Sequence, residues 1–167
     1  MARNRRVTSV VVAAAFLSTL FVTPSAEAAD SSCWDYRRAE RRFARKINVE
    51  RTDRGLGKLS LDPELSKAAR VHTKEMIRKN ELYHTPSGTL GRRVTDWLVL
   101  GENVGVGGSV RSLHEAFMAS KGHRDNVLYS TYKHVGIGTK KAHGRLWVTV
   151  IFEAYTDPGT SLKMPRC

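Results

Sequence analysis

Val135-Gly136-Ile137-Gly138 and Leu146-Trp147-Val148-Thr149-Val150-Ile151-Phe152 decide the fold class of this chain. Both read as strands, and a tight connection through Ala142-His143-Gly144 folds one back on the other. The second run is apolar at nearly every position, so both faces of its strand must be covered. The cover has to come from upstream. Between Asp35 and about Arg54, the residues Tyr36, Phe43 and Ile47 fall on one helical face, and Gly55 and Gly57 turn the chain. Asp62-Pro63-Glu64 starts a second helix with an N-cap acceptor, a proline at the first position and an acid in the first turn. It is predicted to run to about Lys79 with Leu65, Ala69, His72 and Met76 on one stripe. Residues 80–91 read as an irregular loop and Gly91 to Leu98 as a short helix. Ser109 caps a third long helix, with Val110, Leu113 and Phe117 buried and a stop at Gly122. Helices first and a hairpin last give an α+β fold with helices on both faces of a small antiparallel sheet.

The N-terminus reads as a targeting segment. Arg3, Arg5 and Arg6 precede an apolar run from Val10 to Val22, and Ala26-Glu27-Ala28 fits a cleavage site. A run of thirteen residues falls short of the roughly 20 that cross a bilayer, and no second such run follows, so no integral membrane protein is expected. The expected organisation is a signal peptide over 1–28, one domain over 29–157 and a tail over 158–167 ending in Cys167. Without the leader, the 28 basic and 16 acidic residues become 25 and 15, a formal charge of +10. A basic exported protein is drawn to anionic surfaces. Much of that charge stands in the run from Arg37 to Lys46, which also reads as a solvated helix face. Cys33 and Cys167 bracket nearly the whole mature chain, and in an oxidising compartment the pair is expected to close. Loop-closure entropy values such a staple at about 4–5 kcal/mol.

Several chemistries are excluded by spacing. Gly105-Val106-Gly107-Gly108 lacks a complete phosphate-binding spacing, and His123-Arg124-Asp125 lacks the asparagine of a kinase loop because position 130 is Ser130. No zinc-protease helix and no serine nucleophile elbow is present. What remains is Tyr83-His84-Thr85-Pro86, Gly101-Glu102-Asn103-Val104 and Gly122-His123-Arg124-Asp125-Asn126. His84, Glu102 and His123 together suit zinc or another divalent ion with one position left to water. The same set can exchange protons without a metal. Singly, each has a structural reading: a loop residue, a backbone-binding acid, and a cation at a helix end. His72 reads as a core histidine, or as a further group lining the same cleft. His114, His134 and His143 read as surface or turn residues.

Taken in order, these motifs resemble a known family. Ile47-Asn48-Val49-Glu50-Arg51, Gly55-Leu56, Leu59, Asp62, Leu65, Ala69, His72 and Met76 are similar to the opening of bacterial CAP domains, the SCP-like extracellular relatives of cysteine-rich secretory, antigen 5 and pathogenesis-related 1 proteins. The likeness continues through Tyr83-His84-Thr85, Gly101-Glu102-Asn103-Val104, Gly122 to Leu128 and Val135-Gly136-Ile137-Gly138, over about residues 44–155. The resemblance implies a three-layer α-β-α sandwich, an extracellular role and a central cavity in which two histidines and two acids hold a divalent cation. His84, Glu102 and His123 match three of those positions. The fourth is Ser120, three residues after Phe117, as is common in bacterial members. Glu115 stands about 200° around the helix from Phe117 and does not replace the missing acid. Zinc or another divalent cation is therefore expected to bind weakly. Asn103, Ser120, Arg124 and Asn126 are expected to line the cleft.

The family lends no single reaction. The reading that follows is a secreted, non-enzymatic module that binds a lipid, a sterol or a cell-envelope component, with no specific nucleic acid partner. The alternative is a metal-assisted extracellular hydrolase acting on peptide or cell-wall material.

Overall fold

The computed structural model of the chain describes residues 34–154. The leader, the cysteine staple, the terminal tail and the domain limits read from the sequence lie outside the described residues. Helix α1 spans Arg38–Thr52 and turns its buried side, Phe43, Ala44 and Ile47, toward the sheet. Strand β1, Ser60–Leu61, leads into α2, Pro63–Lys79, whose N-cap Asp62 accepts from the Leu65 N–H at 2.8 Å. Leu65, Ala69, His72 and Met76 are all fully buried, so the predicted stripe holds at every position. Helix α2 ends at Asn80, a left-handed residue at φ 52°.

The short helix is displaced from its predicted place. Helix α3 covers Ser87–Arg93 rather than Gly91 to Leu98. Pro86 at its N-cap fixes the start, and buried Val94, in extended conformation, ends it. Strand β2, Val99–Gly107, is one the sequence did not announce. Helix α4 covers Val110–Ala119 behind the Ser109 cap, which accepts from the Ser112 N–H at 3.1 Å. It stops at Ser120, not at Gly122. Ser120 is extended (φ −84°, ψ 125°) and serves both as the end of α4 and as the start of α5, Lys121–Leu128. Arg124 reaches back to the Met118 carbonyl at 2.7 Å and holds the corner.

Strands β3, His134–Ala142, and β4, Arg145–Ala154, form the predicted hairpin through His143 and Gly144, both at positive φ. Every residue of β4 after Arg145 is buried. The sheet order is β1-β3-β4-β2, antiparallel over β2, β3 and β4, with β1 adding a two-residue parallel pair to β3. Val148, Val150 and Phe152 face α1, α4 and α5, whereas Trp147 and Ile151 face α2. The sandwich is therefore α-β-α. Helix α2 lies so close to β3 that a Cβ at Gly136 or Gly138 would sit 2.1 and 2.3 Å from its backbone.

Two histidines expected at the surface are in the interior. His114 is buried against Phe43, and His134 is buried beside Glu153. His143 does lie at the hairpin turn.

Candidate functional site

The cleft forms at the rim of the sheet, because β2 is its last strand. Side chains on a strand alternate between faces. Val104 packs with Met76 of α2, while Asn103 donates to the His123 carbonyl of α5 at 2.9 Å. Glu102 shares its face with Val104 and meets the loop after α2. The cavity therefore wraps the strand and has a volume of about 330 Å³. His84 and Glu102 line one side, with Asn103, Ser120, His123 and Asn126 on the other and Gly122 at the rim. Three segments separated along the chain thus meet in one hollow.

Glu102 is the anchor of this arrangement. Its side chain is only 5 % exposed. Oε1 accepts from His84 Nδ1 at 2.9 Å and from the Thr85 N–H at 2.8 Å, and Oε2 accepts from Thr85 Oγ1 at 2.6 Å. A buried carboxylate needs such donors. The bond fixes the His84 ring with Nδ1 toward Glu102 and leaves Nε2 as its remaining nitrogen. That ring is 61 % exposed. Room for the strand beside it depends on Gly101, where a Cβ would stand 2.2 Å from the Tyr132 hydroxyl and 3.0 Å from Asn126 Oδ1.

His123 is the third residue of α5, near a helix start, so it is not the cation at a helix end that the sequence allowed. Its ring stacks on Phe117 with centroids 4.8 Å apart at 28°. Burial, and after it the neighbouring His84, hold this imidazole below the usual histidine value. Among the described residues, no hydrogen-bond partner meets the buried Nδ1 of His123. Asn126 donates to the Glu102 carbonyl at 3.2 Å and to Asn103 Oδ1 at 2.9 Å, so the two amides brace each other.

His72 and Arg124 do not line the cavity. His72 is fully buried below the loop; its Nε2–H donates to the Tyr83 carbonyl at 2.8 Å and so positions the residue before His84. Arg124 is spent on the corner at Met118. Thr85 and Phe117 were not read as site residues, although both shape the site. The signal for Thr85 was its hydroxyl directly after the imidazole in the motif.

The donor set can be tested against a divalent ion. Zinc takes imidazole and carboxylate ligands. Here both oxygens of Glu102 already accept from protein donors. A metal on Nε2 of His123 would require the ring proton on Nδ1, where no acceptor among the described residues receives it. Among the described residues, no group of three or more His, Cys, Asp or Glu side chains is arranged to hold a metal ion. The residues do not fit a three-ligand centre. Both Glu102 oxygens are engaged by His84 and Thr85 in this arrangement.

Residues 44–152 match the family model named CAP, the cysteine-rich secretory protein family. The uncharacterized protein YkwD of Bacillus subtilis is 30% identical over 115 residues, covering 65% of this chain and 44% of YkwD. A crystal structure of an extracellular SCP-domain protein from Bacillus anthracis superposes with a TM-score of 0.63 at 24% identity, over 70% of this chain and 40% of that one. An outer surface protein from Borrelia burgdorferi superposes at 0.67 with 17% identity, over 74% of this chain and 97% of that one. The match thus spans less than half the length of the two Bacillus proteins. Among the described residues, no helix is long and apolar enough to cross a membrane.

Proposed function

This chain belongs to the CAP family of cysteine-rich secretory proteins, and from that footing we propose that it is a secreted, non-enzymatic module whose rim cleft takes a polar group of a cell-envelope component. One observation carries the reading: both oxygens of Glu102 are engaged by His84 and Thr85. A carboxylate so occupied is a poor general base, and Ser120, the hydroxyl that shares the cavity, lies outside any serine-nucleophile motif. The polar groups left to a ligand are the outer nitrogens of His84 and His123, with Ser120 at the corner. Such a set recognises a ligand by hydrogen bonds. A divalent ion in this cleft would be held by two imidazoles alone and weakly, and its binding would fade as pH falls through the histidine range.

The test is binding of the protein to isolated cell-envelope fractions stripped of anionic polymers. The double variant His84→Ala/His123→Ala is expected to lose at least tenfold in affinity while keeping its circular dichroism spectrum. Unchanged affinity would overturn the proposal. A second reading, an extracellular hydrolase, is supported by the exposed His84 ring on a buried carboxylate, which is the form of an acid–base pair. Turnover on a peptide and peptidoglycan panel, lost in His84→Ala, would favour it over binding.

A further inference from the structure

The outer face of α1 carries a charge pattern that helix stability argues against. Between Arg37 and Lys46 stand six basic residues and one acid, Glu40. Glu40 points inward, fully buried, and pairs with Arg70 at 2.6 Å. Arg37 donates to the Thr139 carbonyl, and Arg41 reaches Asp35 at 3.3 Å. Arg38, Arg42, Arg45 and Lys46 have no carboxylate within ion-pair distance among the described residues. Arg38–Arg42, Arg41–Arg45 and Arg42–Lys46 are like charges one turn apart, each of which weakens a helix. Cations in the first turn also oppose the helix dipole. An anion on this face would relieve both penalties.

The surface there is a trough. Two depressions of about 320 and 360 Å³ lie on the α4 side of α1 and share Arg42. Arg38 and Lys141 border the first, Arg45 and Lys46 the second. From Arg38 to Lys46 the helix rises about 12 Å, so five cations line a short, straight channel. The acid at its far end, Glu50, is already engaged by Arg54 at 2.7 Å and His114 at 3.4 Å. Guanidinium groups match phosphate oxygens in pairs, better than ammonium groups do. The apolar walls are aliphatic, Val49, Val110 and Leu146, and the ring that lines the second depression, His114, is only 3 % exposed, so no aromatic face is offered to a nucleobase. We propose that the trough between α1 and α4 binds a linear phosphodiester polymer of the cell envelope along Arg38, Arg42 and Arg45. This surface is separate from the rim cleft.

The experiment measures affinity of the whole protein for polyglycerol phosphate across a salt series, with neutral dextran as the blank. Arg42→Glu/Arg45→Glu is expected to weaken binding at least tenfold and to flatten the slope of log affinity against log salt by about 1 to 1.5. Arg42→Gln/Arg45→Gln relieves repulsion, keeps the fold and is expected to lose at least fivefold. Lys74→Glu/Arg78→Glu makes the same change in net charge on α2 and is expected to change affinity less than twofold. An equal loss in that control would overturn the proposal in favour of general charge attraction. So would tighter binding to an oligonucleotide of matched charge, or binding only to anionic lipid vesicles. The cleft variant His84→Ala/His123→Ala is expected to bind the polymer as wild type does; a loss there would move the polymer to the cleft and end the trough assignment. The trough and the cleft therefore fail separately.

Discussion

Two of the histidine–glutamate pairs among the described residues are built oppositely. His84–Glu102 has a buried acid and an exposed ring, and protein donors reach both oxygens of the acid. His134–Glu153 lies inside, with Nδ1 and Oε2 3.5 Å apart, and among the described residues no donor meets either Glu153 oxygen as closely as His84 and Thr85 meet Glu102. Burial raises the Glu153 pKa, and it pushes Asp62, nearby at the start of α2, up to about 6. The first pair is organised to hold a ring still at a surface. The second keeps acids where ionisation is expensive, so it makes stability depend on pH. The same two residue types do different work because close donors were supplied to one carboxylate and not the other.

The sharpest break of this contrast is replacement of each acid by leucine. Glu102→Leu strands two Thr85 donors and the His84 ring, with an expected loss of about 2–4 kcal/mol in chemical denaturation. Glu153→Leu removes an acid whose ionisation burial opposes and which no donor approaches as closely as those on Glu102, so it is expected to cost at least about 1 kcal/mol less than Glu102→Leu. Equal losses would erase the distinction.

A smaller effect comes from pH. Asp62 has a folded pKa above its unfolded value, so between about pH 4 and pH 6 the folded state holds the extra proton. Its contribution therefore declines as pH rises through that window, by roughly 3 kcal/mol at most, and is flat above it. His114 and His123 act in the opposite direction. Burial lowers both, so their share of stability is present above about 6.5 and is lost as pH falls. Asp62→Asn keeps an N-cap acceptor and removes only the acid's titration. Relative to this variant, wild type is expected to be favoured at pH 4 and to lose about 1–3 kcal/mol of that advantage by pH 7. A constant difference would refute the buried-acid assignment. The smallest effect is His84→Ala, expected to change stability by less than about 0.5 kcal/mol, because its ring is largely in water.

Much of the fold was legible where local chemistry and packing agree. Asp62-Pro63-Glu64 starts α2, the Leu65-to-Met76 stripe buries it, and His143-Gly144 turns the hairpin. Strand β2 was not legible because tertiary contact selected its residues. A Cβ at Gly105 would lie 2.9 Å from the Phe117 ring of α4, so glycine stands where a strand former would ordinarily mark the run. The α4–α5 corner was hidden for a similar reason. Ser120 breaks the helix by its backbone, whereas Gly122, the obvious stop, sits inside α5. For the candidate site, type and spacing single out His84, Glu102 and His123, and the structure brings all three to one cavity. That Glu102 orients His84 could not be read, since it depends on which donors surround the acid after folding.

The position of β2 has one more consequence. An outermost strand offers bare backbone groups on which a strand of another molecule can be laid. Here α5 lies alongside, with Asn126 donating to the Glu102 carbonyl and Asn103 donating to the carbonyl of His123. The first of these bonds occupies one main-chain acceptor of the strand and the second ties a β2 side chain to the helix, so the residues that shape the recess also cover this part of the sheet's border.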